Sequence, residues 1–100
     1  MTLDLPKPVA AYFAAEIDCF AEDAVVHDEG GTHRGRAAIR QWREETAGKY
    51  NFTSEPLALE RAGEKWVVRS RVTGNFPGSP VELDYAFRLA DDQIVELNIS

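Results

Sequence analysis

Halfway along the chain the spacing of apolar residues changes, and that change limits what the chain can fold into. Up to Gly48 they recur at intervals of three and four; from Thr53 onward they alternate with polar residues. Side chains return to one face of a helix about every 3.6 residues, but a strand sends successive side chains to opposite faces. The first half therefore reads mainly as helix and the second as a run of strands. Helices gathered on one side of an antiparallel sheet define the α+β class.

The clearest alternation is Val81, Leu83, Tyr85, Phe87 and Leu89 against Glu82, Asp84, Ala86 and Arg88. Residues 66–73 place Trp66, Val68, Ser70 and Val72 on one face and Val67, Arg69, Arg71 and Thr73 on the other. Residues 53–61 alternate with Leu57 and Leu59 inward, and 94–99 form a last strand. Between them lie Ala62-Gly63-Glu64-Lys65, a loop centred on Pro77-Gly78, and Ala90-Asp91-Asp92-Gln93, all with turn chemistry. These four strands form an antiparallel meander, expected to curve into a cone.

In the first half, Pro6 and Pro8 suit a first helical turn, where a missing N–H costs nothing. Val9, Tyr12, Phe13, Ile17 and Phe20 continue one stripe, predicting a helix over 6–21. A short strand, 25–28, comes next, followed by a turn at Gly30-Gly31. Gly35 caps a second helix over 36–49, with Ala38, Ile39, Trp42 and Thr46 inward and Gly48 ending it. The length of 100 residues allows one domain, 1–100, with a modest core. One face of the sheet is covered by helices, so the other is solvated or buried by a second subunit; a homodimer through the sheet is expected.

A formal charge of −6, with bases scattered among acids, argues against nucleic acid as the partner. One cysteine, Cys19, excludes an internal disulfide or a cysteine metal cage. No apolar run is long enough to span a membrane, and the N-terminus lacks the layout of a signal peptide, so the chain reads as cytoplasmic.

The chemistry-bearing residues gather at His27-Asp28-Glu29, where the short strand ends. Alternation splits them: Val26 and Asp28 share one face, Val25 and His27 the other. Asp28 is the candidate base, a carboxylate at the rim of an apolar interior, where desolvation disfavours its charged form. The competing reading is a strand-end acid bonded to the turn. His33 lies in the following loop, within swing of the site, and the His27, Asp28, Glu29, His33 set matches no metal-binding spacing. Phe13, Val26, Trp42, Leu83 and Phe87 supply walls that serve equally as core. No phosphate loop, catalytic triad order or cysteine nucleophile is present.

The strings Phe20-Ala21-Glu22-Asp23-Ala24-Val25 and Arg34-Gly35-Arg36-Ala37-Ala38-Ile39 resemble elements of the nuclear transport factor 2-like superfamily, which includes SnoaL-like polyketide cyclases and ketosteroid isomerase. The order of elements is similar over nearly the whole chain, but these motifs mark the fold rather than a reaction. The resemblance implies a small hydrophobic ligand, no cofactor and proton-transfer chemistry. It aligns Asp28 with a general base, Tyr12 with a hydroxyl donor on the first helix, and Tyr85 with a second donor that ketosteroid isomerase supplies as a protonated aspartate. That enzyme is the standard worked example of such an oxyanion site. Tyrosine also donates at neutral pH, so the exchange preserves the role. The chain departs from the family by lacking its usual second helix of roughly ten residues. Either the first helix runs into Phe20, or a shortened turn replaces that helix. The departure leaves room for another class, a ligand-binding or dimerisation module that keeps the fold without catalysis.

Overall fold

A computed structural model describes residues 4–14, 19–28, 30–49 and 52–100. The order is α1 (Lys7–Phe13), β1 (Phe20–Asp28), β2 (Gly31–Arg34), α2 (Arg36–Lys49), β3 (Phe52–Ala62), β4 (Lys65–Gly74), β5 (Val81–Ala90) and β6 (Gln93–Ile99). The meander and α2 stand where apolar spacing predicts them, within a residue or two at their ends.

The sheet corrects the expectation of four strands. It has six, in the order β2-β1-β6-β5-β4-β3, and is mixed because β1 runs parallel to β6. A parallel neighbour requires a crossover, here made by everything between β1 and β6. Such a long-range pairing leaves no local sequence signal. It also accounts for the start of β1. Phe20 and Ala24, four residues apart, fit a helical stripe, yet Phe20 pairs with Ile94 and both it and Ala24 are buried in the sheet. The expected helix 6–21 therefore ends at Phe13. Ile17 of the predicted stripe lies outside the described residues. Only residues 14–19 join α1 to β1, too few for a ten-residue helix.

Residues 31–34, expected as a loop, form β2 and pair with β1 from Val25↔Arg34 to Asp28↔Gly31. Gly35 then turns the chain into α2 with φ +87°, a region that suits glycine. Its N–H donates to the Ala24 carbonyl at 2.8 Å, and its own carbonyl accepts the first helical bond from Ile39 N at 3.0 Å. At the β5–β6 hairpin both turn residues, Asp91 and Asp92, have positive φ, the geometry of a two-residue turn that follows strand twist and that aspartate tolerates.

The core lies between the inner sheet face and the helices; Phe20, Ile39, Val68, Phe87, Ile94 and Leu97 are fully enclosed. Ile94 and Leu97 are three residues apart, so simple alternation would separate them. A register shift pairs Leu89 with Ile94 but Arg88 with Glu96, leaving Val95 as the extra residue. On β4 the predicted faces hold: Val68, Ser70 and Val72 are buried, while Arg69, Arg71 and Thr73 are exposed.

Candidate functional site

Asp28 closes β1, half-buried, where the strand runs under α2. Its Oδ2 accepts a hydrogen bond from Trp42 Nε1 at 3.0 Å. Trp42, expected as a wall, is thus also the group that orients the carboxylate. Among the described residues no other side chain donates to Asp28. His33 belongs to β2 rather than a free loop; it pairs with Val26, and its ring stacks on Trp42 with centroids 5.7 Å apart. His27 faces the other way, as alternation requires, with Nε2 3.4 Å from Glu96 Oε2. Glu29 lies outside the described residues, and among those described no three His, Cys, Asp or Glu side chains are grouped to hold a metal.

Tyr12 lies at the centre of an aromatic group built by α1, β1 and β5. Its ring meets Phe13 at 5.1 Å, Phe87 at 5.4 Å, and Phe20 and Tyr85 at 6.0 Å. Most of these contacts are edge-on, the arrangement that ring quadrupoles favour. From α2, Arg43 lies over the Tyr12 ring at 4.8 Å, and its Nη2 donates to the Tyr12 carbonyl at 3.3 Å. The residue as a whole is half-buried, but its hydroxyl end lies deep among protein atoms. Burial therefore pushes the phenol well above the ordinary tyrosine range; Tyr85 and Asp28 add to the rise while Arg43 opposes it.

Tyr85 is buried on β5, and its phenol is also raised, first by burial and then by the Asp28 charge. The Ser54 hydroxyl works in the opposite direction. Ser54 Oγ in turn lies 2.7 Å from Ser70 Oγ. The Asp28 charge is felt by both phenols, so Asp28, Tyr12 and Tyr85 occupy one electrostatic neighbourhood.

The remaining expected wall residues divide between core and rim. Val26 and Phe87 are fully enclosed, whereas Phe13 and Leu83 are half-buried against the core. Ring contacts between Phe13 and both Tyr85 and Phe87, at 5.4 and 6.0 Å, draw α1 down onto β5. A cleft of about 210 Å³ reaches Asp28 from the strand end, lined by His27, Gly31, Thr32, Asn98, Ile99 and Ser100 among others; neither tyrosine lines it. Sequence reasoning missed Ser54, Arg43 and the donor role of Trp42. Ser70 carried a signal, as the one hydroxyl among inward-facing apolar residues of β4.

The fold defines a class: a small α+β domain whose two helices pack on a six-stranded mixed curved sheet, here with a carboxylate held by Trp42 and two buried phenols. The SnoaL-like domain family matches residues 9–97, and the chain belongs to that family. Among solved structures it is similar to a presumptive polyketide cyclase from Sinorhizobium meliloti, with 41% identity over 97% of this chain and 96% of that one, at a TM-score of 0.93. A protein with a ketosteroid isomerase-like fold from Catenulispora acidiphila, solved with trimethylamine, shares 23% identity over 95% of this chain and 85% of its own, with a TM-score of 0.82. Bal32a, from a soil-derived mobile gene cassette, shares the fold at 19% identity and a TM-score of 0.74, over 93% of this chain and 82% of its own. A search of curated proteins returns no significant match.

Proposed function

We propose that this SnoaL-like protein binds a small hydrophobic carbonyl compound and moves a proton on it without a cofactor, in an isomerase or cyclase type of reaction. The observation that carries this reading is the Asp28 carboxylate, held through Oδ2 by Trp42 and electrostatically coupled to both Tyr12 and Tyr85. Asp28 takes a proton from the carbon beside the carbonyl. Tyr12 and Tyr85 donate hydrogen bonds to the oxygen on which enolate charge develops. Raised phenol pKa values suit that role, because only a protonated tyrosine donates. The 41% identity to the Sinorhizobium meliloti protein supports a polyketide-like, polycarbonyl substrate.

A second reading has its own support. The rings of Tyr12, Phe13, Tyr85 and Phe87 touch one another, and the cleft at Asp28 is smaller than the roughly 300–1,000 Å³ usual for drug-sized ligands. Such packing suits a ligand-binding or dimerisation module that has kept the fold without the chemistry.

The deciding experiment measures deuterium exchange at the carbon beside the carbonyl for a panel of enolisable ketones and β-diketones. Under the enzyme reading, Asp28→Asn lowers the protein-dependent rate by about 10²–10⁴-fold, the usual worth of a positioned base. A rate unchanged in Asp28→Asn removes Asp28 from the mechanism, and absence of any protein-dependent exchange favours the module.

A further inference from the structure

β2 is a strand only through its pairing with β1, and that pairing fixes what it presents to the candidate site. Residues directly opposite each other share a sheet face, so Val26↔His33 and Asp28↔Gly31 place His33 and Gly31 on the inner face with Asp28. Exposure along β2 agrees: Gly31 and His33 are half-buried, whereas Thr32 and Arg34 are exposed. The His33 ring lies 5.7 Å from the Trp42 ring between centroids, with 29° between the planes, a stacked contact. Gly31 leaves the space that this ring uses. A Cβ there would lie 3.5 Å from His33 Nε2 and 3.3 Å from the Asp28 carbonyl oxygen. The imidazole therefore reaches from the face of Trp42 to the strand position opposite Asp28.

Indole geometry gives that contact a consequence. An indole has a single donor, and its N–H lies in the plane of the ring. Whatever sets the tilt of the Trp42 plane therefore also aims its 3.0 Å hydrogen bond at Asp28 Oδ2. The helix fixes the Trp42 backbone, but the outermost torsion of a tryptophan has a broad preference and does not fix the ring by itself. A flat ring lying on the indole face restricts that rocking. β2 can hold such a ring in place because its own backbone is tied to β1 along its length.

We infer that His33 is a positioning residue for Asp28: by stacking on Trp42 it holds the indole plane so that Nε1–H grips Oδ2 and leaves Oδ1 for the substrate proton. A site residue keeps a productive geometry only when the groups behind it are themselves locked by packing. His33 does this with the face of its ring rather than with a nitrogen. The inference rests on reading Asp28 as the base, and it gives β2 a task in the site.

The test reads the ¹⁵N–¹H resonance of the Trp42 indole, assigned by its loss in Trp42→Phe, alongside exchange kinetics on the ketone panel. Asp28→Ala marks where that resonance falls when the indole has lost its acceptor. In His33→Ala the resonance is expected to move toward that mark, and its proton to exchange faster with water. The kcat of His33→Ala falls about tenfold, the worth of one hydrogen bond, with little change in KM. His33→Phe, which keeps a flat ring and no nitrogen, restores both readouts; His33→Leu, which keeps bulk without a flat ring, restores neither. An unmoved indole resonance in His33→Ala overturns the inference, as does His33→Leu matching His33→Phe, which would make bulk sufficient. A low kcat in His33→Phe with the indole held in place also overturns it, because a nitrogen would then be the acting group. If His33→Ala fails to fold, His33→Leu compared with His33→Phe still decides. Failure of the catalytic reading is separately visible as unchanged exchange in Asp28→Asn, which leaves the indole shifts of the His33 variants as they are.

Discussion

The same strands carry two different kinds of chemistry on their two faces. Outward, β4, β5 and β6 carry a charged ladder: Arg69 bonds Asp84 at 3.1 and 3.3 Å and approaches Glu82 at 3.7 Å, Arg71 approaches Glu82 at 3.8 Å, and Arg88 meets Glu96 at 3.4 Å. Inward, residues one position along the same strands give Ser70, Tyr85 and Phe87, enclosed among rings and hydroxyls. The outer pairs stay wet and are screened, so each contributes little. Water is excluded from the inner face, where each misplaced atom has a large effect. Stability and the proposed chemistry therefore depend on the inner face, and the outer face is left free for solvation or for the expected second subunit.

Three perturbations grade that contrast. The largest effect belongs to Phe87→Ala, which empties a fully enclosed position in contact with Tyr12 and Phe13; a loss of about 3–5 kcal/mol is expected in urea unfolding. A loss below that of an outer-face variant would break the comparison.

The second perturbation is alkaline pH. The Tyr12 phenol is raised in the folded protein, so above about pH 10 the unfolded chain releases a proton that the folded chain keeps. Tyr12 thus contributes stability that is whole below that pH and declines as pH rises above it, by up to about 1.4 kcal/mol per pH unit. Tyr12→Phe should flatten that decline while leaving the pH dependence below 9 to 10 unchanged, as read from unfolding midpoints across pH.

The smallest effect is expected outside. Arg69→Ala removes the best-bonded member of the ladder and should cost no more than about 1 kcal/mol, vanishing in about 1 M salt. A larger, salt-insensitive loss would mean that the outer face is desolvated, as burial by a second subunit would make it.

How much of this was legible in the sequence follows from how local each feature is. The faces of β4 and β5 were legible because alternation is written residue by residue, and Val68, Ser70, Tyr85 and Phe87 all face inward as read. The family likeness was legible in Phe20 to Ile39. The sixth strand was not, because Gly31-Thr32-His33-Arg34 has no apolar pattern and becomes a strand only through backbone pairing with β1. The parallel β1–β6 pairing and the early start of β1 at Phe20 depend on residues more than 70 positions apart. The separation of Asp28 from His27 was readable from strand alternation alone. Its partner was not: Trp42 looks like any inward residue of α2, and only the packed fold brings its indole N–H to the carboxylate.

The central claim is that Asp28 and the two phenols serve one ligand site. A small phenol, which mimics an enolate oxygen on an apolar ring, can be titrated into protein labelled at the tryptophan indole nitrogens and tyrosine ¹³Cζ. The account predicts that the Trp42 indole and the Tyr12 and Tyr85 resonances shift together along one saturation curve, and that Asp28→Asn changes the dissociation constant. Shifts confined to the outer cleft, around His27, Thr32 and Asn98, with both tyrosines unmoved, would contradict it.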